Sequence, residues 1–116
     1  MGSIYWHVFF GNTFSRYGEL SGSQVFDTAE FSRAVFILEV NFKGALLNMD
    51  GVFERTEFGE FTDFQGATLS DAAFFFDAKF GKYTSFRDVN FNSTVNFQGA
   101  EFNGEIDFKN ANFVGL

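Results

Sequence analysis

The chain has 116 residues, of which 46% are apolar, so its length and composition predict a single domain with a substantial core. It lacks cysteine, which excludes disulfides, thiolate nucleophiles and cysteine metal sites, and its single histidine offers no zinc or copper constellation. Its net charge of −7 argues against nucleic acid as a direct ligand and is compatible with nucleic-acid mimicry or with solubility alone.

The N-terminal residues do not resemble a secretion signal. Residues 1–10 have no basic start, no long apolar stretch and no small-residue cleavage site. No apolar run in the chain approaches the roughly 18 residues that a membrane-spanning helix needs. We expect a cytoplasmic protein in which residues 1–8 form an N-terminal cap, with Ile4, Tyr5 and Trp6 covering the end of the fold.

From Phe9 onward the chain repeats every eleven residues, with two large apolar positions in each unit. The first series consists of Phe9, Leu20, Phe31, Phe42, Phe53, Phe64, Phe75, Phe86, Phe97 and Phe108. The second series consists of Phe14, Val25, Phe36, Leu47, Phe58, Leu69, Phe80, Phe91, Phe102 and Phe113. The residue two places before each is as a rule small or β-branched. Because alternate residues of a strand share one face, each pair predicts a short strand with both side chains inside.

The large positions follow one another at alternating steps of five and six residues. An eleven-residue helical repeat needs apolar residues at steps of three and four, so this spacing excludes a coiled coil. Turn-forming residues recur between the predicted strands at a spacing of 22, and all of them tolerate left-handed backbone angles. They are Gly22, Gly44, Gly66, Asp88 and Asn110. The pattern therefore predicts short strands, joined by turns and stacked every 22 residues.

Two segments, Phe64–Leu69 and Phe97–Phe102, share the pattern Phe-Gln-Gly-Ala-x-Leu/Phe, and the triplet Ala111-Asn112-Phe113 is close to it. These motifs resemble the pentapeptide-repeat proteins, whose pattern is Ala-Asp/Asn-Leu/Phe-x-x. The resemblance spans roughly residues 7–116 and implies an all-β fold, a right-handed quadrilateral β-solenoid with the large residues inside. Ten eleven-residue units, counted from His7, then make a predicted solenoid over residues 9–116 of about five coils of 22 residues, with a bulge or a wider turn at two corners.

Phe74 and Phe76 are the first candidate site. Phe75 belongs to the ladder, so both neighbours are predicted to point outward, beside Val52 of the preceding coil. Outward phenylalanines in adjacent positions indicate a surface for a protein partner. Two alternatives stay open: a wide corner folds these side chains inward, or another part of a longer chain covers them.

The C-terminal end is the second candidate site. No capping segment follows Phe113, so the last coil is predicted to present Phe102, Phe108, Phe113 and Leu116 beside an unpaired backbone edge. Either the chain is a fragment, or another molecule stacks there. Related pentapeptide-repeat proteins are often dimers through their C-terminal ends, so the resemblance implies a homodimer contact at this end.

Polar side chains form a third pattern, a column of acidic and small polar residues one place before the large ones. Its members are Glu19, Asn41, Asp63, Ser85 and Asp107, and the flanking column is polar to basic. Opposite charges beside one ladder predict a solvated face with weak cross-strand pairs.

The sequence contains no motif for catalysis. His7 is interpreted as a residue of the first coil, and no phosphate loop, calcium loop or zinc-protease motif is present. We expect no catalytic residue, metal or cofactor. The leading hypothesis is a non-catalytic protein-binding or scaffold module whose partner is unidentified. The alternative is an acidic DNA-mimic rod that binds DNA gyrase or another DNA-binding protein, as some pentapeptide-repeat proteins do.

Overall fold

The computed structural model describes residues 3–6 and 8–114. Short strands wind into a β-solenoid of about five coils, and none of the described residues is helical. Along each of the four sides, the strands of successive coils pair in parallel. The principal-axis extents are 27 × 26 × 25 Å, so the stack is about as long as it is wide.

The four sides, faces A to D, follow one another along each coil. Face A consists of β1 (Ile4–Tyr5), β4 (Gln24–Val25), β7 (Leu46–Leu47), β10 (Thr68–Leu69), β14 (Asn90–Phe91) and β18 (Asn112–Phe113). Face B consists of β2 (Val8–Phe9), β5 (Ala29–Glu30), β8 (Gly51–Val52), β11 (Ala73–Phe74) and β15 (Val95–Asn96).

Faces C and D are linked by two long strands that run along both of them, β3 (Phe14–Glu19) and β6 (Val35–Asn41). Face C adds single bridges at Glu57 and the strands β12 (Lys79–Phe80) and β16 (Glu101–Phe102). Face D adds β9 (Phe61–Asp63), β13 (Tyr83–Ser85) and β17 (Glu105–Asp107).

Left-handed backbone angles mark two of the four corners. At the corner between faces D and A they fall on the five predicted turn residues, with φ between 57° and 71°, so that prediction is confirmed. At the corner between faces B and C they fall on residues that the sequence did not single out. These are Asn12, Arg33, Arg55, Asp77 and Gly99. The six-residue steps cross the other two corners, between faces C and D and between faces A and B.

Phenylalanine rings stacked along the solenoid axis fill the core. On face D the ring of Phe64 lies 4.7 Å from that of Phe42 and 4.9 Å from that of Phe86, centroid to centroid, and all three residues are fully buried. Rings of faces B and D meet edge to face, as Phe64 and Phe75 do at 81°. Both arrangements are favourable for aromatic pairs, so each ring contacts neighbours above, below and across.

The first coil departs from the eleven-residue repeat. Phe9 and Phe14 were predicted to be inside, but they are 69% and 73% exposed, so the prediction is wrong for both. Phe10 takes the inner position instead, and its ring stacks on that of Phe31 at 5.2 Å. Ser15 takes the next inner position, opposite Phe36.

The first coil is shorter than the others because it lacks the extra residue at both wider corners. Tyr5 lies opposite Val25, twenty residues later, whereas strand partners from Tyr17 onward are 22 residues apart. The inner positions of this coil therefore follow one another at steps of five: Tyr5, Phe10, Ser15, Leu20 and Val25. Because a slip of one residue turns each side chain of a strand to the opposite side, Phe9 and Phe14 point outward.

The cap predicted for residues 1–8 includes Met1, Gly2 and His7, which lie outside the described residues. Ile4 and Tyr5 form β1, which pairs with β4 as the first strand of face A. Ile4, Tyr5 and Trp6 are exposed, and the ring of Trp6 lies 5.1 Å from that of Phe26.

Candidate functional site

The first candidate surface lies on the outer side of face B. Phe74 pairs with Val52 of the coil before and with Asn96 of the coil after, and Phe75 beside it is fully buried. The rings of Phe74 and Phe76 stack on each other with centroids 5.7 Å apart and planes 10° apart. Because the two rings cover part of each other, both residues are half-buried, as is Val52. We call these three residues the face B patch.

Acidic and polar side chains border the face B patch. Glu54, Asp77 and Gln98 line a shallow cavity of about 370 Å³ together with Phe76. Asp77 also lies 4.0 Å from the Arg55 guanidinium, and both side chains are more than half exposed. An exposed pair at this distance contributes little to stability, roughly 0–1 kcal/mol. The patch is therefore apolar at its centre and net acidic at its border.

The second candidate site, the C-terminal end, has an open edge. The strands β15, β16, β17 and β18 each have a strand neighbour on one side only among the described residues. Phe102 is 36% exposed, and Phe108 and Phe113 are half-buried, although each stacks on a ring of the coil before. Leu116, the fourth predicted member, lies outside the described residues.

The polar column stabilises the turns that follow it. Glu19, Asn41, Asp63 and Asp107 each accept a hydrogen bond from the backbone N–H two residues later, at 2.8–2.9 Å. The hydrogen bond from the Ser21 hydroxyl has the largest effect on the pKa of Glu19 and lowers it, and the hydrogen bond from the Ser21 backbone N–H lowers it further. Together they outweigh the opposing effect of burial. Arg87 lies 3.6 Å from Asp107 of the next coil, as expected for cross-strand pairs. These side chains thus serve the fold.

Sequence reasoning missed the outer surface of the first coil. Ile4, Trp6, Phe9, Phe14 and Tyr17 are all exposed there, and we call them the aromatic collar. The collar follows from the shorter first coil. One signal of it was present in the sequence, because the β-branched Val8 lies two places before Phe10, and this pair fits the repeat as well as His7 and Phe9 do.

Two further kinds of site are absent from the described part of the chain. No group of three or more His, Cys, Asp or Glu side chains lies close enough there to hold a metal ion. Within the same residues, no helix is long and apolar enough to cross a membrane.

Four faces of parallel strands around an inward ladder of large residues define a β-solenoid repeat protein. The family model for pentapeptide repeats (9 copies) matches residues 75–116, and the same coils continue through the residues before this segment. The resemblance to pentapeptide-repeat proteins that the motifs indicated is thus confirmed for residues 75–116. Neither the curated proteins nor the solved structures contain a match to it.

Proposed function

We propose that the chain is a non-catalytic, cytoplasmic module that binds a protein partner, or holds partners together, through the face B patch. The observation that carries the proposal is the pair of stacked rings, Phe74 and Phe76, outside a face whose core residue Phe75 is fully buried. Because Phe75 already fills the core, the two outer rings contribute little to it.

The geometry of the face B patch suits a protein contact. The two stacked rings form one rigid apolar surface. Because their side chains are already ordered, they lose little conformational freedom when a partner covers them. Val52 extends this surface along the solenoid axis. Glu54 and Asp77 at the border favour a partner with basic side chains around an apolar contact.

Quantitative pull-down tests the face B patch. The bait is the full chain with a photo-crosslinking amino acid at Val52, exposed to extract of the cells that produce it. A discrete crosslinked protein is expected for the unchanged chain, and the double variant Phe74→Ser/Phe76→Ser is expected to lose it. The matched control, Ile37→Ser/Phe61→Ser, changes two exposed apolar residues near the corner of faces C and D and is expected to keep it. Equal crosslinking by all three chains would contradict the proposal.

We further propose that two copies stack through their C-terminal ends. Support comes from the exposed ring of Phe102 and from the one-sided pairing of the last strands. Light scattering over a range of concentrations is expected to show a dimer, and Phe102→Lys is expected to give a monomer because two like charges would meet across a two-fold contact. Phe61→Lys is the control for an added charge elsewhere. A monomer at all concentrations would contradict this contact.

The alternative function, a DNA mimic that binds DNA gyrase, is favoured by the net charge of −7. Its support is narrower, because several acidic side chains bind turn N–H groups and the solenoid is about as wide as it is long. A DNA mimic would change supercoiling by gyrase, and added duplex DNA would compete the effect away. Unchanged supercoiling would contradict the alternative and leave the face B proposal standing.

A further inference from the structure

Exposed apolar side chains are concentrated at the N-terminal end of the solenoid. Of the eleven large apolar residues that are exposed in the described part of the chain, six lie between Ile4 and Tyr17. The aromatic collar supplies five of them, and Trp6 is the most exposed, at 76%. An apolar group of this density at one end is unusual for a surface that faces only water.

The collar surrounds the solenoid. Ile4 belongs to face A, Phe9 to face B, Phe14 to face C and Tyr17 to face D, and Trp6 follows β1 toward the corner of faces A and B. One globular partner covers one or two adjacent faces. A further coil below the first would pair with its lower edge and leave these outward side chains uncovered. A surface that surrounds the end on all sides, such as a lipid interface, covers the whole collar.

The charge distribution agrees with this geometry. All fifteen acidic residues of the chain lie at Glu19 or later, and Arg16 is the one Lys or Arg before that point. Residues 1–18 therefore carry +1, and residues 19–116 carry −8, which together give the net −7. An end-on orientation brings residues 3–18 of the first coil, which include no acidic residue, to an anionic surface and holds the acidic coils farther from it.

We propose that the aromatic collar docks the solenoid end-on at the interface of an anionic lipid bilayer. Trp and Tyr are enriched at membrane interfaces because their rings are apolar and their N–H or O–H groups are polar. One coil is about 4.8 Å thick, which is comparable to the roughly 5–10 Å that interfacial segments penetrate. Arg16 reaches the head-group phosphates from the same coil.

The backbone at this end fits the head-group region and no deeper layer. The lower edge of β1, β2 and β3 is the open edge of each sheet among the described residues, so its N–H and C=O groups need partners. Phosphates and water supply such partners at the depth of the head groups, whereas the hydrocarbon core supplies none. Docking therefore stops after the first coil. This inference does not depend on the face B patch.

Trp6 is the only tryptophan of the chain and reports directly on the collar. Vesicles of phosphatidylglycerol and phosphatidylcholine in equal parts are added to the full-length protein, and a blue shift of Trp6 emission is expected. Lipids brominated near the head group are expected to quench Trp6 more than lipids brominated near the chain ends. Vesicles of phosphatidylcholine alone are expected to bind more weakly, by about fivefold, and Arg16→Gln is expected to remove this difference.

Substitutions separate the collar from other exposed residues. Phe9→Ser/Phe14→Ser is expected to weaken vesicle binding by about a hundredfold, because two exposed rings no longer enter the interface. Ile37→Ser/Phe61→Ser is expected to bind like the unchanged chain, and circular dichroism checks that both variants are folded. The proposal is overturned if vesicles leave Trp6 emission unchanged or if both variants bind equally. A blue shift that grows with protein concentration without lipid would also overturn it, since the collar would then bind a second copy.

Discussion

The first coil and the middle coils use the same residue types and place them oppositely. In the middle coils the ladder phenylalanines, such as Phe53 and Phe64, are fully buried. In the first coil Phe9 and Phe14 stand at the equivalent positions of the eleven-residue repeat, but their side chains lie outside the core. The first coil has one residue fewer than the middle coils at each of two corners. This shorter spacing shifts the register of the first-coil strands by one residue and turns these phenylalanines outward. Burial in this solenoid is thus decided by chain length between corners as much as by residue type.

The largest contrast between the coils is expected from equal substitutions of a middle and a first-coil phenylalanine. Phe64→Ala removes a ring stacked between two others and is expected to lower the free energy of unfolding by about 3–5 kcal/mol. Phe14→Ala removes an exposed ring and is expected to change it by less than about 0.5 kcal/mol. Urea unfolding monitored by circular dichroism measures both. Similar losses of unfolding free energy for the two variants would contradict the inference that the middle coil buries its phenylalanine and the first coil exposes its own.

Gly18 shows how the first coil accommodates its neighbour. A Cβ at Gly18 would lie 2.7 Å from the ring of Phe36, so Gly18→Ala is expected to cost about 1–3 kcal/mol of unfolding free energy. The cost is expected to shrink in a Phe36→Leu background, because the smaller side chain leaves room. A double-mutant cycle from urea midpoints measures this coupling, and an equal cost in both backgrounds would mean that the ring does not cover Gly18.

Two of the middle coils have a threonine, Thr62 or Thr84, at the inward-facing position that Gly18 occupies in the first coil. Both hydroxyls are buried and have no hydrogen-bond partner among the described residues. Thr84→Val is therefore expected to raise the free energy of unfolding by about 1 kcal/mol. Thr56→Val is the matched control, because that hydroxyl donates to the Phe31 carbonyl at 2.7 Å, and it is expected to lower stability by about 1 kcal/mol. Changes of the same sign in thermal unfolding would contradict this account.

The smallest expected effect concerns Glu19, at the end of the first-coil strand β3. Its pKa is lowered in the fold by the Ser21 hydrogen bonds, so the ionised form is stabilised relative to the unfolded chain. This contribution is present above the ordinary glutamate pKa of about 4.3 and is lost as pH falls through the lower pKa of the folded state. Unfolding curves of Glu19→Gln and the unchanged chain are expected to differ slightly at neutral pH and to converge in acid. A difference that grows in acid would contradict the assignment.

Most of the fold was predictable because each coil repeats one physical rule. The ladder, the 22-residue stacking and the left-handed turns at Gly22 and its equivalents all follow from residue type and spacing. Arg33 and Arg55 could not be predicted as left-handed, because arginine has no preference for that conformation and the stacked coils impose it. The first-coil slip could not be predicted either, since Phe9-Phe10 offers two adjacent phenylalanines and three-dimensional stacking on Phe31 selects the second.

The candidate sites were predictable only as positions. The sequence placed Phe74 and Phe76 on the outside, but their mutual stacking depends on side-chain geometry that no spacing encodes. The aromatic collar was missed because it is a consequence of the slip. In both cases the candidate site lies where the repeat carries residues that the core does not need.

Serine substitution of the two adjacent phenylalanines, one at a time, tests the central claim most directly. If the first coil has steps of five, Phe10→Ser removes the ring stacked on Phe31 and lowers the urea-derived free energy of unfolding by about 2 kcal/mol, whereas Phe9→Ser changes it by less than about 0.5 kcal/mol. The opposite order, with Phe9→Ser the costly change, would restore the strict eleven-residue repeat and contradict the shorter first coil.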